Sequence, residues 1–336
     1  MINKTDIVLT GDRPTGPLHL GHFVGSLQER INLQEIYTQY VMIADVQALT
    51  DNFDNPKKVH ENVMQVALDY LSIGIDPKKT TIFLQSCIPE IAELTVFFLN
   101  LVSINRLKRN PTVKTEISQK NYGEHVTAGF LMYPVSQTAD IAVVKGKFVP
   151  VGHDQLPMIE QANEILHDFN RIYQQEIFPK IEAITKENTG RLPGIDGKNK
   201  MSKSLGNAIF LSDSEDQVAK KVMKMYTDPN HIHVVDPGNV EGNVVFIYLD
   251  IFDQNKDEVE NLKLHYQKGG LGDVVIKKRL IDVLNNFLEP IRKKRAEFAK
   301  DPEKVMEILK VGTEKTRQAA GETMQEVRSA MKLQYF

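Results

Sequence analysis

Short apolar runs alternate with longer stretches of helical spacing through the first half of the chain. Ile7-Val8-Leu9, Tyr40-Val41-Met42-Ile43-Ala44-Asp45, Thr81-Ile82-Phe83-Leu84-Gln85 and Phe148-Val149-Pro150-Val151 are largely apolar over their length. That is the pattern of strands buried on both faces of a parallel sheet. After the first run, Phe23, Val24, Leu27 and Ile31 recur at helical spacing. From Asn55 to Leu71 a second stripe, Val59, Val63, Val66, Ala67 and Tyr70, predicts an amphipathic helix that Gly74 and Pro77 end. Strand, helix, strand, helix, strand within 85 residues predicts an α/β fold with a doubly wound, Rossmann-like parallel sheet. In such a sheet the ligand site lies at the carboxyl ends of the strands.

Residues 88 to 133 interrupt the alternation with a helical, apolar block, Ile91 to Val102, and a basic stretch around Arg106, Lys108, Arg109 and Lys114. The block reads as an insertion. Its apolar positions Leu94, Phe97, Phe98 and Leu101 fit either a core or a contact with a second subunit. The sheet pattern resumes at 148 and is followed by a helix from Ile159 to Phe169. From Gln217 onward the spacing is helical, in Val274, Ile281, Leu284, Leu288 and Ile291 and again in Val305, Ile308 and Leu309. Gly269-Gly270-Leu271-Gly272 marks a turn, with Asp273 placed to cap the next helix. The expected organisation is a Rossmann-like domain over 1–210, with the insertion at 88–133, and a helical domain over 211–336.

Composition narrows the class. With 336 residues and 41% hydrophobic content the chain is long enough for about two globular domains. No apolar run reaches transmembrane length and the N-terminus carries no basic-then-apolar leader, so neither a membrane span nor a signal peptide is expected. The single Cys87 permits no internal disulfide, fits a reducing cytoplasm and reads as a small, partly buried thiol. The net charge of −3 is uneven: residues 261–336 hold 16 Lys and Arg against 10 Asp and Glu, while residues 1–260 hold 25 against 34. A basic late region is either a solvated helical face or a surface for a polyanion.

The candidate chemistry begins where the first strand ends. Thr10-Gly11-Asp12-Arg13-Pro14-Thr15-Gly16-Pro17-Leu18-His19-Leu20-Gly21-His22 is a turn followed by a helix start, which offers unpaired N–H groups and a positive dipole end to phosphate. His19 and His22, three residues apart, share one helical face and can donate to one phosphate chain. Gly21 between them leaves room for a flat base. A second cluster, Gly152-His153-Asp154-Gln155, follows the strand at 148, and Asp140 stands in an apolar helical context where a buried carboxylate needs a partner. A Gly-, Pro- and Asn-rich stretch from Asn188 leads into Lys200-Met201-Ser202-Lys203-Ser204-Leu205-Gly206-Asn207, a cationic and mobile loop able to wrap a triphosphate through ammonium groups, hydroxyls and backbone N–H groups.

Together, the His19-Leu20-Gly21-His22 and Lys200-Met201-Ser202-Lys203-Ser204 segments resemble the two signatures of class I aminoacyl-tRNA synthetases. The likeness is strongest to the tryptophanyl members of the tyrosyl and tryptophanyl subclass. It runs through Thr10–Leu27, through Tyr133-Pro134 with Ala139-Asp140-Ile141, and through Pro150-Val151-Gly152-His153-Asp154-Gln155. The resemblance implies a two-step reaction: tryptophan and ATP give tryptophanyl-adenylate and pyrophosphate, and the acyl group then passes to the terminal ribose of tRNA(Trp). It assigns His19, His22, Lys200, Ser202 and Lys203 to catalysis. It places Arg13, Pro14, Thr15, Gly21, His22, Gly152, His153, Asp154, Leu192, Lys200, Met201, Ser202, Lys203 and Ser204 around ATP. Asp140 becomes the acceptor of the indole N–H, with Tyr133 and Gln155 toward the amino acid's ammonium, and Lys114 reaches over the site.

The same resemblance implies Mg²⁺ carried by ATP, with no tightly bound protein-ligated metal. It implies a homodimer formed through the 88–133 block, and anticodon recognition by the basic late helices, with no membrane or DNA partner. Three positions depart from the family pattern. Met158 stands where many relatives have histidine, Gln137 stands where they have methionine, and His153 stands where an acid is common. Gln137 is expected to turn away from the indole pocket. A tyrosyl-tRNA synthetase and a synthetase-like regulator that charges no tRNA are the alternatives.

Overall fold

In the computed structural model, residues 6–119, 122, 125–185, 192–203 and 205–335 are described. Ser204 and residues 186–191, at the head of the glycine-rich stretch, lie outside them. The chain divides into two compact units, described here one at a time: 1–16 with 29–187 and 301–336, and 17–28 with 188–300.

The first unit is built on a five-stranded sheet, β1 (Ile7–Asp12), β2 (Thr38–Ile43), β3 (Thr80–Leu84), β4 (Phe148–Pro150) and β5 (Glu182–Ile184). The spatial order is β3-β2-β1-β4-β5, and every neighbouring pair is parallel. The doubly wound sheet predicted from the apolar runs is therefore present. Its order reverses between β1 and β4, the switch point at which open α/β sheets bind ligands beyond their carboxyl ends. Leu9, Tyr40, Met42 and Phe83 join Leu94, Phe98, Val135, Ile165 and Phe169 in one core cluster. Leu94 and Phe98 of the inserted block are thus core residues, with Phe97 and Leu101 packed against that core.

Several local readings are sharpened. β1 runs on through Thr10, Gly11 and Asp12 instead of turning after Leu9, because Gly11 fits against β2: a Cβ there would clash with the Met42 carbonyl. The helix Pro56–Ile73 starts on an Asn55 side chain that accepts from the Lys58 N–H, and it ends at Gly74, where φ is +106°. β5 was not signalled by any apolar run; it is three residues long with an exposed first position. The last helix, Pro302–Ala330, returns to this unit and lies along the edge strand β3. Gly312 allows that approach, since a Cβ would overlap the Ile82 carbonyl oxygen, and Thr313 Oγ1 accepts the Leu84 N–H at 3.2 Å. The helix thereby covers an otherwise open sheet edge. Cys87 is exposed, not partly buried, in the turn Gln85–Cys87 at the end of β3.

The second unit is helical. Helices Glu215–Met223, Val244–Phe252 and Asp273–Ala299 pack together, burying Val218, Val222, Val245, Leu249, Ile276, Leu280, Leu284 and Leu288. Asp273 does not cap its helix, as spacing had suggested. Gly272 is the N-cap, and the Asp273 carboxylate accepts from Tyr266 Oη and Thr227 Oγ1, each at 2.7 Å. Its charge still lies in the first turn, where the helix dipole favours it. No helix among the described residues is long and apolar enough to cross a membrane.

Candidate functional site

In the first unit, polar residues at and beyond the carboxyl ends of the strands are held in place by hydrogen bonds and ion pairs. Asp12, the last residue of β1, accepts Arg30 Nη1 at 2.6 Å and Tyr70 Oη at 2.8 Å, and Arg30 also donates to the Gly11 carbonyl at 3.3 Å. Burial works against the Arg30 charge, but Asp12 and Tyr70 outweigh it and raise its pKa. This network fixes the end of the strand from which Arg13, Pro14 and Thr15 leave. Pro14 is buried, Thr15 donates its N–H to the Arg13 carbonyl at 2.8 Å, and Arg13 Nη1 pairs with Asp51 at 3.2 Å.

Across the switch point, Gly152, His153 and Asp154 are exposed in the turn after β4, and Gln155 is half-buried at its end. A Cβ on Gly152 would meet Asp154 Oδ1 at 2.8 Å, and the Asp154 carbonyl accepts Thr112 Oγ1 at 2.9 Å. Thr112 belongs to the helix Pro111–Gln119, which also carries exposed Lys114. The inserted block is therefore tied to the turn after β4.

Asp140 lies in the helix Ala128–Ala142 and is 2% exposed. Its Oδ1 accepts Gln85 Nε2 at 2.8 Å, while Oδ2 is buried without a hydrogen bond among the described residues. Burial raises its pKa to about 7, with the Gln85 hydrogen bond opposing the rise. The partner is thus supplied by the turn after β3, not by the local chain. About two helical turns earlier, Tyr133 packs with Val113, Phe130 and Met158. Burial and then the Glu116 carboxylate push the Tyr133 hydroxyl's pKa up, yet Oη makes no hydrogen bond of good geometry among the described residues. Tyr133 thus has an apolar, aromatic surround, and Asp140 Oδ2 on the same helix is an acceptor that a ligand N–H can satisfy. Gln137 is half-buried on the same helix.

The second unit holds both signature segments. Leu18 and Leu20 anchor the first one, with Leu20 N–H donating to Ile209 O and Leu211 N–H to Leu18 O, each at 3.0 Å. His19 is 5% exposed and caps the helix start reciprocally: its Nδ1 accepts the His22 N–H at 3.3 Å, and His22 Nδ1 accepts the His19 N–H at 3.2 Å. With both Nδ1 atoms accepting, each neutral ring carries its proton on Nε2. The ring centroids are 3.8 Å apart, so the shared face expected from their spacing is present. The helix continues through a π-turn, Phe23–Leu27.

The cationic segment packs against the first one. Met201 is 2% exposed, and its Sδ accepts the Gly21 N–H at 3.3 Å. The side of Gly21 on which a Cβ would project meets the His19 ring at 3.0 Å and Met201 Cβ at 3.3 Å. Leu192 is buried and takes the Met201 N–H at 3.2 Å, while Pro193 and Lys200 form an antiparallel bridge. Lys200 is exposed, and Ser202 and Lys203 are half-buried.

Two residues outside the predicted site organise this loop. Asn207 is 3% exposed; its Oδ1 accepts the Ser202 N–H at 2.8 Å, and its Nδ2 donates to Asp196 Oδ1 at 3.2 Å and Lys200 O at 3.3 Å. Burial acts to raise the Asp196 pKa, but hydrogen bonds from Asn199 and Asn207 leave it lowered. Gln85 likewise lies outside the predicted site, although its position at the carboxyl end of a buried apolar run is a sequence signal. A cavity of about 280 Å³ between the start of β3 and the last helix, lined by Lys78, Thr81, Lys304, Ile308 and Lys315, contains none of the predicted residues.

A family model described as tRNA synthetases class I (W and Y) matches residues 3–289. The chain is 57% identical over 334 residues to a tryptophan–tRNA ligase of Clostridium longisporum, with 98% of each chain covered. It is 56% identical over 336 residues to the tryptophan–tRNA ligase of Streptococcus pyogenes serotype M3, covering 98% of this chain and 99% of that one. Among solved structures it is similar to a tryptophanyl-tRNA synthetase from Campylobacter jejuni complexed with ADP and tryptophan. There the TM-score is 0.86 and the identity 31%, over 97% of this chain and 99% of that one.

Proposed function

We propose, since the chain belongs to the tryptophan and tyrosine family of class I tRNA synthetases, that it is a tryptophan–tRNA ligase. In the first step a carboxylate oxygen of tryptophan bonds to the α-phosphorus of ATP and the bond from that phosphorus to the α,β-bridging oxygen breaks, releasing pyrophosphate. In the second, a hydroxyl of the terminal ribose of tRNA(Trp) bonds to the acyl carbon and AMP departs. The carboxylate is already a nucleophile, so the protein chiefly aligns it and stabilises charge on the phosphates. His19 and His22 donate through Nε2 to the phosphate chain; Lys200, Ser202 and Lys203 take the charge of the departing pyrophosphate. Mg²⁺ arrives with ATP, held by phosphate oxygens.

The observation that carries the choice of tryptophan is Asp140, a buried carboxylate with one oxygen fixed and the other unpartnered among the described residues. An indole N–H satisfies that oxygen, whereas phenylalanine leaves it buried and unpaired, at a cost of about 1–3 kcal/mol or more. Tyr133 and Gln155 face the substrate ammonium, while Arg13, Pro14, Thr15, Gly152 and Asp154 line ATP. The late basic helices contact tRNA phosphates, giving an affinity that falls with salt. We further propose a homodimer through the 88–133 block, where Val96 and Ile104 are 58% and 62% exposed, in the cytoplasm.

The test is tryptophan-dependent exchange of pyrophosphate into ATP, with Asp140→Ala reducing it to background. Exchange driven by tyrosine, or without any amino acid, overturns the reading. The chain contains no tryptophan, so emission from the bound substrate can be followed without tryptophan emission from the protein.

A further inference from the structure

Gln85 is 2% exposed and uses both ends of its amide. Its Oε1 accepts the Gln47 backbone N–H at 2.9 Å, and its Nε2 donates to Asp140 Oδ1 at 2.8 Å. The backbone donor decides which way the amide faces: only a carbonyl oxygen can accept the Gln47 N–H, so the NH₂ must point at Asp140. Gln47 is held in turn, because it lies in the short helix Asp45–Ala48 that follows β2. The Asp45 carboxylate at the start of that helix accepts the N–H of Ser86, the neighbour of Gln85, at 2.9 Å. The two loops at the carboxyl ends of β2 and β3 therefore interlock, and they present a single donor to one oxygen of the buried carboxylate.

We infer that Gln85 is a specificity-positioning residue: by occupying Oδ1 of Asp140 it leaves Oδ2 as the one acceptor aimed at the substrate's ring N–H. The inference rests on the reading of Asp140 as the indole acceptor. Without Gln85 the carboxylate can turn, or keep its proton, and then neither oxygen is committed to the substrate.

The experiment compares tryptophan with its benzothiophene isostere, in which sulfur replaces the ring N–H, as substrates for pyrophosphate exchange. The wild-type chain is set against Gln85→Met, which keeps the bulk and loses both polar ends. The ratio of kcat/KM for the two substrates is expected to fall about tenfold or more in the variant, with the KM for ATP unchanged. A merely structural role would lower both substrates together and leave the ratio intact, and that result overturns the inference. Should Gln85→Met not fold, Gln85→Glu carries the test. Its carboxyl still accepts the Gln47 N–H but donates to Asp140 only when protonated, so discrimination must decline as pH rises, and a pH-independent wild-type ratio refutes the assignment. Failure of the underlying reading looks different: the wild-type chain itself would show no preference for the substrate that bears the N–H.

Discussion

Asp140→Asn separates what this carboxylate does for the fold from what it does for the substrate. Burial holds the folded pKa at about 7, against an ordinary aspartate value of about 4 in the unfolded chain. Below about pH 4 the group is protonated in both states, and the substitution changes little through charge. Between about pH 4 and 7 the unfolded chain has released a proton that the folded chain retains, so wild-type stability falls as pH rises. Above 7 the full penalty stands, ~4 kcal/mol at most for a difference of this size. Asparagine has the same shape and no charge to bury, so it removes the penalty.

The variant is therefore expected to unfold later than wild type at pH 8, with the advantage shrinking toward zero at pH 4.5. Urea midpoints followed by circular dichroism at the two pH values measure this. Function moves the other way. Gln85 Nε2 is fixed as a donor to Oδ1, so the new amide turns its carbonyl there and places NH₂ where Oδ2 stood, facing an indole N–H donor to donor. The kcat/KM for tryptophan should fall on the order of 10- to 100-fold, without a change in the KM for ATP. A variant no more stable than wild type at pH 8, or equally stabilised at both pH values, refutes the reasoning.

Two other substitutions probe the scaffold. Gly312→Ala puts a methyl onto the Ile82 carbonyl oxygen, so the last helix must move off β3; a loss of ~1–3 kcal/mol is expected, and an unchanged denaturation midpoint would disprove the close approach. Asn207→Ala removes the acceptor of the Ser202 N–H and the donor to Lys200 O. Exchange turnover should drop about tenfold, the scale of one buried hydrogen bond, with the KM for tryptophan unmoved; a change in tryptophan affinity alone would contradict a role confined to the loop.

The same residues show how far local chemistry reaches. The His19 and His22 spacing alone placed both rings on one face, because helical geometry is local, and the rings do lie against each other, tilted by 42°. Nothing local disclosed that their Nδ1 atoms cap each other's backbone, which fixes the proton on Nε2. Asp140 was legible as a buried acid in an apolar helix, since burying a carboxylate is costly enough to be conspicuous. Its partner was not, because Gln85 lies 55 residues away and is aimed by a backbone N–H on yet another loop. Asp273 does not cap its helix for a related reason: side chains from Thr227 and Tyr266 donate to its carboxylate from elsewhere in the chain.

The sequence by itself determined the strands buried on both faces, the helices with strong stripes and the two signature segments, because each depends on residues near in the chain. Only the tertiary structure decided what depends on distant residues meeting. It added β5, too short to leave a pattern, and returned the last helix to the edge of β3, an approach that Gly312 makes possible and apolar spacing cannot specify. It also gave Asp140 one tethered oxygen and one open one. That asymmetry, on which the proposed choice of substrate rests, comes from a hydrogen-bond chain across three separate segments, and no single stretch of the sequence contains it.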